Sequence, residues 1–287
     1  MFKKLKLILF PIIIFCLLVT LCGAVKLIAD RSKSLAGDMV LTQSEDSRAS
    51  GESSENAADI MITTKCDSLD IYSSDSTESD VFDIYIDGKP ADFAQAVEYR
   101  NGVYTVEYIR TYGEMVIVIN SNLNIGSIVI DAPAANMRIR DLTVSELNIA
   151  TSAGNTCCDN ILCDSIIIVS QSGNVNIEDT ESTVMQVTTQ NGRISVNCGS
   201  REFYVGTNTG NIEFNPTELD LRADLTTMSG DIYADLSDDD GITMYIRQNG
   251  GITQISRDFV MYDDRYVKGD GYSVVNIKTD TGDITVE

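Results

Sequence analysis

Residues 170–177 read SQSGNVNI, 207–214 read TNTGNIEF, 227–236 read TMSGDIYADL and 279–287 read TDTGDITVE. Each places a hydroxyl residue three positions before a glycine, Asn or Asp just after it, and an apolar residue one step further. The glycines extend into a series, Gly154, Gly173, Gly192, Gly210, Gly230 and Gly250, at intervals of 19, 19, 18, 20 and 20, closed by Gly282 after 32. Nineteen residues before Gly154 stands Ala135, the place of a rung without glycine. Fixed periods in this range belong to stacked architectures, in which a repeat buries its apolar face only against its neighbours. The expectation is an all-β fold: a β-solenoid of about eight rungs of 18–20 residues.

A stacked coil must keep its inward positions apolar. Five places before the turn glycine stand Ile130, Ile149, Ile168, Val187, Val205, Leu225, Tyr245 and Ile277, and two places after it Met137, Thr156, Val175, Ile194, Ile212, Ile232, Ile252 and Ile284. These read as two core columns, one on each side of a turn. Asn148, Ile167, Gln186, Tyr204, Asp224, Met244 and Asn276 read as outward and share no chemistry.

The turn follows from its residues. Glycine and the Asn155, Asn174, Asn211, Asp231 and Asp283 that follow it tolerate left-handed backbone and bond locally. Stacked Asn side chains can also bond along the axis of such a stack. The hydroxyl row Thr151, Ser170, Thr189, Thr207, Thr227 and Thr279, broken by Arg247, is suited to satisfying backbone groups beside the corner.

Ahead of the repeat, residues 60–120 alternate apolar and polar in short runs, with Asp87-Gly88 and Asn101-Gly102 as turn dipeptides, the second placed as in a tight hairpin. This is a β-rich lead-in or cap, with a brief helical pattern only near residues 91–97. Residues 258–272, DFVMYDDRYVKGDGY, fill the long interval before Gly282 as an inserted cap or binding loop.

Residues 7–25 carry no charge and are long enough to span a bilayer as one helix, a transmembrane signal anchor behind a basic tail at 1–6. Cleavage near Cys22-Gly23-Ala24 is the alternative. Residues 26–59 form a Ser-rich, acidic flexible spacer. The first 35 residues hold 6 of the 21 Lys and Arg but 1 of the 43 Asp and Glu, leaving 15 basic against 42 acidic residues beyond them. So acidic a body disfavours nucleic acid as a partner. The layout expects a single-pass protein of the cell membrane, attached through its N-terminal helix, with the C-terminal domain outside the cytoplasm.

The chain has no His, which removes Ser-His-Asp triads, Cys-His dyads and His-containing zinc motifs together. Asp280-Thr281-Gly282 matches an aspartic-protease tripeptide but coincides with the last repeat turn. Asp238-Asp239-Asp240-Gly241 lacks the ligand spacing of a calcium loop. Cys66, Cys157, Cys158, Cys163 and Cys198 show neither disulfide framework nor CxxC spacing. No catalytic residue, cofactor site or metal site is expected.

The quoted SGDI-type segments resemble the repeats of the bacterial putative-adhesin family catalogued as domain of unknown function 4097, over roughly residues 60–287. That resemblance implies an all-β repeat domain, often membrane-attached, and supplies no catalytic residues to carry over. The function expected is that of a non-enzymatic, adhesin-like surface module with a cell-envelope or extracellular protein or glycan as partner. The alternatives are an accessory of a cell-envelope stress-sensing system and, since β-solenoids also process polysaccharides, an enzyme of that kind.

Overall fold

A computed structural model of the chain describes residues 57–108 and 112–287. The expected anchor at 7–25 and nearly all of the spacer lie outside the described residues. Among the described residues no helix is long and apolar enough to cross a membrane. They form strands throughout, apart from turns and one helical turn, Phe93–Ala96.

The strands stack in parallel, each rung hydrogen-bonded to the next. Following the column through Ile149 in space gives Val106, Ile62, Ile130, Ile149, Ile168, Val187, Val205, Leu225, Ile277 and Ile246, hence ten rungs rather than about eight. At about 4.8 Å per rung, the outermost rungs stand about 43 Å apart. Beside this column runs a second inward one on the same strands, from Ile128 and Leu147 through Ile166, Met185, Phe203, Ala223 and Val275 to Met244. On the far side of the turn, Met115, Leu69, Met137, Thr156, Val175, Ile194, Ile212, Ile232, Ile284 and Thr253 align in turn. The columns close on one another as a single apolar core. The two rings of the Gly210 rung, Phe203 and Phe214, meet edge to face at 4.9 Å, and the volume they need is left by Ala223 and Ala234 of the next rung.

Spatial order departs from chain order at both ends. The rung of Ala58–Thr64 and Ser68–Ser74 lies between that of Val103–Tyr108 and Glu114–Asn120 and the one starting at Ile125–Asp131. The last rung in sequence, Ser273–Thr281 and Ile284–Val286, lies between Glu218–Ser229 with Ile232–Ala234 and Gly241–Gln248 with Thr253–Ile255. Residues 60–120, expected as a lead-in outside the repeat, therefore contribute two rungs as well as a cap.

Antiparallel strands close the stack. At one end Phe82–Ile86 pairs with Glu114–Asn120 and Val97–Arg100 with Val103–Tyr108, the latter through the Asn101-Gly102 turn, where both residues have positive φ. Phe93 and Tyr104 pack on Phe82 at 5.2 and 5.6 Å and cover the core there. At the other end the insertion folds as a hairpin, Val260–Tyr262 with Arg265–Gly269, whose second strand runs antiparallel to Gly241–Gln248.

The turn glycines form one file. A methyl group on Gly154, Gly173, Gly192, Gly210, Gly230, Gly282 or Gly251 would overlap the backbone carbonyl of its predecessor in the file, Ala135 for the first and a glycine for each of the others. All seven also have positive φ, from 104° to 159°. Close approach and backbone sign thus both demand glycine. Gly250, expected in this series, is not part of it: its φ is not positive and Gly251 takes the turn. The doubled glycine shifts that rung by one residue. Ile246 rather than Tyr245 continues the first column, half-buried against the core; Thr253, itself exposed, rather than Ile252 continues the second; and Met244 is buried instead of facing outward. Ile252 is 61% exposed.

Beside the glycines the Asx side chains bond up the stack, each Oδ1 accepting from a backbone N–H of the next rung. Asn136 accepts from Asn155, Asn155 from Asn174 and Asn174 from Arg193, at 2.9–3.0 Å. The ladder resumes from Asn211 to Asp231, Asp231 to Asp283 and Asp283 to Ile252. Arg193 breaks it, having no side-chain acceptor, and pairs instead with Glu213. The hydroxyl row is buried: Thr207, Thr227 and Thr279 donate to the carbonyls of Gly192, Gly210 and Gly230. Where Arg247 was expected as the exception, Gln248 stands opposite Thr279 and its amide donates to Gly282 O at 2.6 Å.

Candidate functional site

The residues named from the repeat are placed as structure. Ile149, Ile168, Val187, Val205, Leu225, Ile277, Val175, Ile194, Ile212, Ile232 and Ile284 are all buried. Asn155, Asn174, Asn211, Asp231 and Asp283 all serve the ladder. None of them converges on a reacting centre.

The thiols are buried too. Cys66, Cys158, Cys163 and Cys198 lie inside and Cys157 is half-buried, all five as free thiols. Burial pushes the Cys163 and Cys198 thiols up to about 12 and raises Cys158 as well. A thiol held protonated in this way is a poor nucleophile at neutral pH. Asp280 of the aspartic-protease tripeptide accepts a hydrogen bond from Asn249 at 3.0 Å within the turn region.

The acidic loop around Asp238-Asp239-Asp240 is closed by a cation of the protein itself. Lys268 Nζ donates to the carbonyls of Leu236 and Ser237 at 2.9 and 2.8 Å. Asp235 accepts from the Ser237 hydroxyl and amide, which holds its carboxyl below the ordinary value, while burial raises that of Asp239. An ammonium thus occupies the position where carbonyl oxygens would face an ion.

What remains is the end carrying the inserted hairpin. Of the eight exposed large apolar side chains among the described residues, five fall here: Ile252, Val260, Met261, Tyr262 and Tyr272, each more than half exposed. Phe259 is buried behind them, with Lys268 over its ring at 6.0 Å. The strand Val260–Tyr262 pairs on one side only, and so does Thr253–Ile255. Four of these lie in the 258–272 insertion read from the sequence as a cap or binding loop, whereas Ile252 sits at a repeat position where the sequence pattern demands a core residue.

A rung-by-rung stack of this kind, with the SGDI-type turn, is what a family profile can recognise, and one does: the profile described as Toastrack DUF4097 matches residues 32–287. The chain belongs to the Toastrack DUF4097 family. Two solved structures are similar to this Toastrack chain. One, from Bacteroides fragilis NCTC 9343, is described as a putative adhesin; it is 13% identical, with 80% of this chain and 93% of that one covered and a TM-score of 0.46. The other, from Clostridium sporogenes ATCC 15579, is described as a putative cell adhesion protein, at 12% identity, 81% and 93% coverage and a TM-score of 0.25. No curated protein matches the chain.

Proposed function

We propose that this Toastrack protein is a non-enzymatic, adhesin-like interaction module, held at the outer face of the cell membrane by residues 7–25, and that it meets a cell-envelope or extracellular partner through the hairpin end of its stack. The observation that carries the reading is the gathering of Ile252, Val260, Met261, Tyr262 and Tyr272 at one end of a domain whose repeat positions are otherwise core or turn. Exposed apolar surface of this kind marks contact sites. The acidic body, −22 over the full chain, keeps nucleic acid and anionic surfaces away.

Deleting the whole insertion would strip a strand from Gly241–Gln248, so side chains are the better probe. The Met261→Glu/Tyr262→Ser variant of the full chain is compared with the parent for retention on peptidoglycan, glycan and membrane-protein fractions. Loss of retention with an unchanged melting temperature supports the hairpin end. Unchanged retention removes it, and turnover of any polysaccharide overturns the non-enzymatic reading.

A further inference from the structure

The middle rungs have a short third side that the first two lack. It begins beyond a corner where Asp141, Asn160 and Asp179 stack with positive φ, and its first strand, 142–144, pairs only with 161–163 of the next rung. The other edge of 142–144 is left open opposite the loop 120–124. Between them lies a cavity of about 840 Å³. Two smaller cavities, of about 400 and 270 Å³, continue it along the same side, and all three share Leu162, itself 52% exposed.

The lining decides what could sit there. No Lys or Arg borders the large cavity, and its charges are the carboxylates of Asp141 and Asp164. An anionic ligand would meet only repulsion there, and Arg201, which borders the smallest cavity, is already paired with Asp220. The exposed side chains of Asn124, Thr143 and Ser145 form no hydrogen bond among the described residues, so amide and hydroxyl groups point to solvent with full capacity. Leu123 and Leu162 supply apolar patches between them. Amide, hydroxyl and carboxylate groups alternating with small apolar patches match the hydroxyls and C–H faces of a neutral sugar, and the run of cavities suits a chain of several units, since the rung spacing is close to the length of a hexopyranose.

We propose that this side groove is a binding site for a neutral oligosaccharide, separate from the hairpin end. A polypeptide would instead be expected to use the open edge of 142–144 without needing Asn124 or Ser145. The test is calorimetric titration of the full chain with neutral gluco- and chito-oligosaccharides, with polygalacturonate as the anionic control and an extended neutral peptide as the other class. Binding of a neutral oligosaccharide is expected, weakened about tenfold or more by Asn124→Ala/Thr143→Val, as the loss of two hydrogen bonds implies. The melting temperature should not move, because both residues are exposed, and Met261→Glu/Tyr262→Ser should leave sugar binding intact. The proposal is overturned if no neutral oligosaccharide binds, if the groove variant binds as the parent does, or if polygalacturonate or the peptide binds in its place. Failure here leaves the hairpin-end reading standing, since that is read from retention on cell fractions.

Discussion

The Thr279 hydroxyl donates to the Gly230 carbonyl at 3.1 Å, across 49 residues of chain but a single step of the stack. In a solenoid wound in chain order the rung of Gly251 would lie between them. Instead the last 15 residues slide into the gap, and the rung before them is carried outward to become the end.

Removing residues 273–287 therefore should not shorten the stack by one rung; it should detach two. Gly241–Gln248 and Thr253–Ile255 stack on Ser273–Thr281 and Ile284–Val286, with the hairpin beyond. Limited proteolysis of the truncated chain is expected to cut throughout 237–272 while the rungs up to Ala234 stay protected. Protection of 241–255 would mean that this rung can stack on the Gly230 rung directly.

The doubled glycine gives a paired test of register. Gly251→Ala places a methyl group against the Gly282 carbonyl at φ 121°, whereas Gly250→Ala meets only Asp280 O at 3.9 Å. Backbone strain alone should cost the first about 1–3 kcal/mol, and the second should be nearly silent in thermal melts. The same shift makes Ile252→Asp mild and Ile232→Asp severe, several kcal/mol, since only the latter buries an unpaired charge.

Arg193 offers a gain. Replacing it with Asn supplies the missing Oδ1 acceptor for the Asn211 amide and joins the two halves of the Asx ladder. The lost ion pair to Glu213 is exposed and worth little. Arg193→Asn is expected to raise stability by about 1 kcal/mol, and Asn211→Ala, which removes an acceptor from Asp231 N, to lower it by a similar amount. Urea titrations of the three proteins check both signs.

The buried thiols predict an alkaline weakness. Folding raises Cys163 and Cys198 from an ordinary 9.0 to about 12, so the native state keeps protons that the unfolded chain releases. The stabilisation is complete below pH about 9 and falls away as the pH climbs towards about 12. Urea midpoints should decline above pH 9, less steeply in Cys163→Ala/Cys198→Ala. In the native protein at pH 8 a thiol reagent should label Cys157 first, and all five described cysteines only after denaturation.

What makes each rung is written in the chain position by position. Strand alternation, the glycine demanded by the file of close-packed turns and the Asx that follows it are conditions on single positions, repeated every 18–20 residues, so they leave a periodic mark that can be counted. Ala135 was legible for the same reason, although it lacks the glycine. Which rung lies on which is settled by packing alone. Ile277 fits beside Leu225 as well as Ile246 would, because every inward face offers a similar aliphatic column and every edge the same backbone groups; the choice is non-local and leaves no trace in spacing. The first two rungs were hidden likewise, since residues 75–102 interrupt their period. The slip at Gly250-Gly251, which turns Ile252 out to solvent, and the side groove beside 142–144 follow from that stacking. Both arise where a rung lacks its usual neighbour, and the absence of a neighbour is a fact of packing that no single rung's sequence encodes.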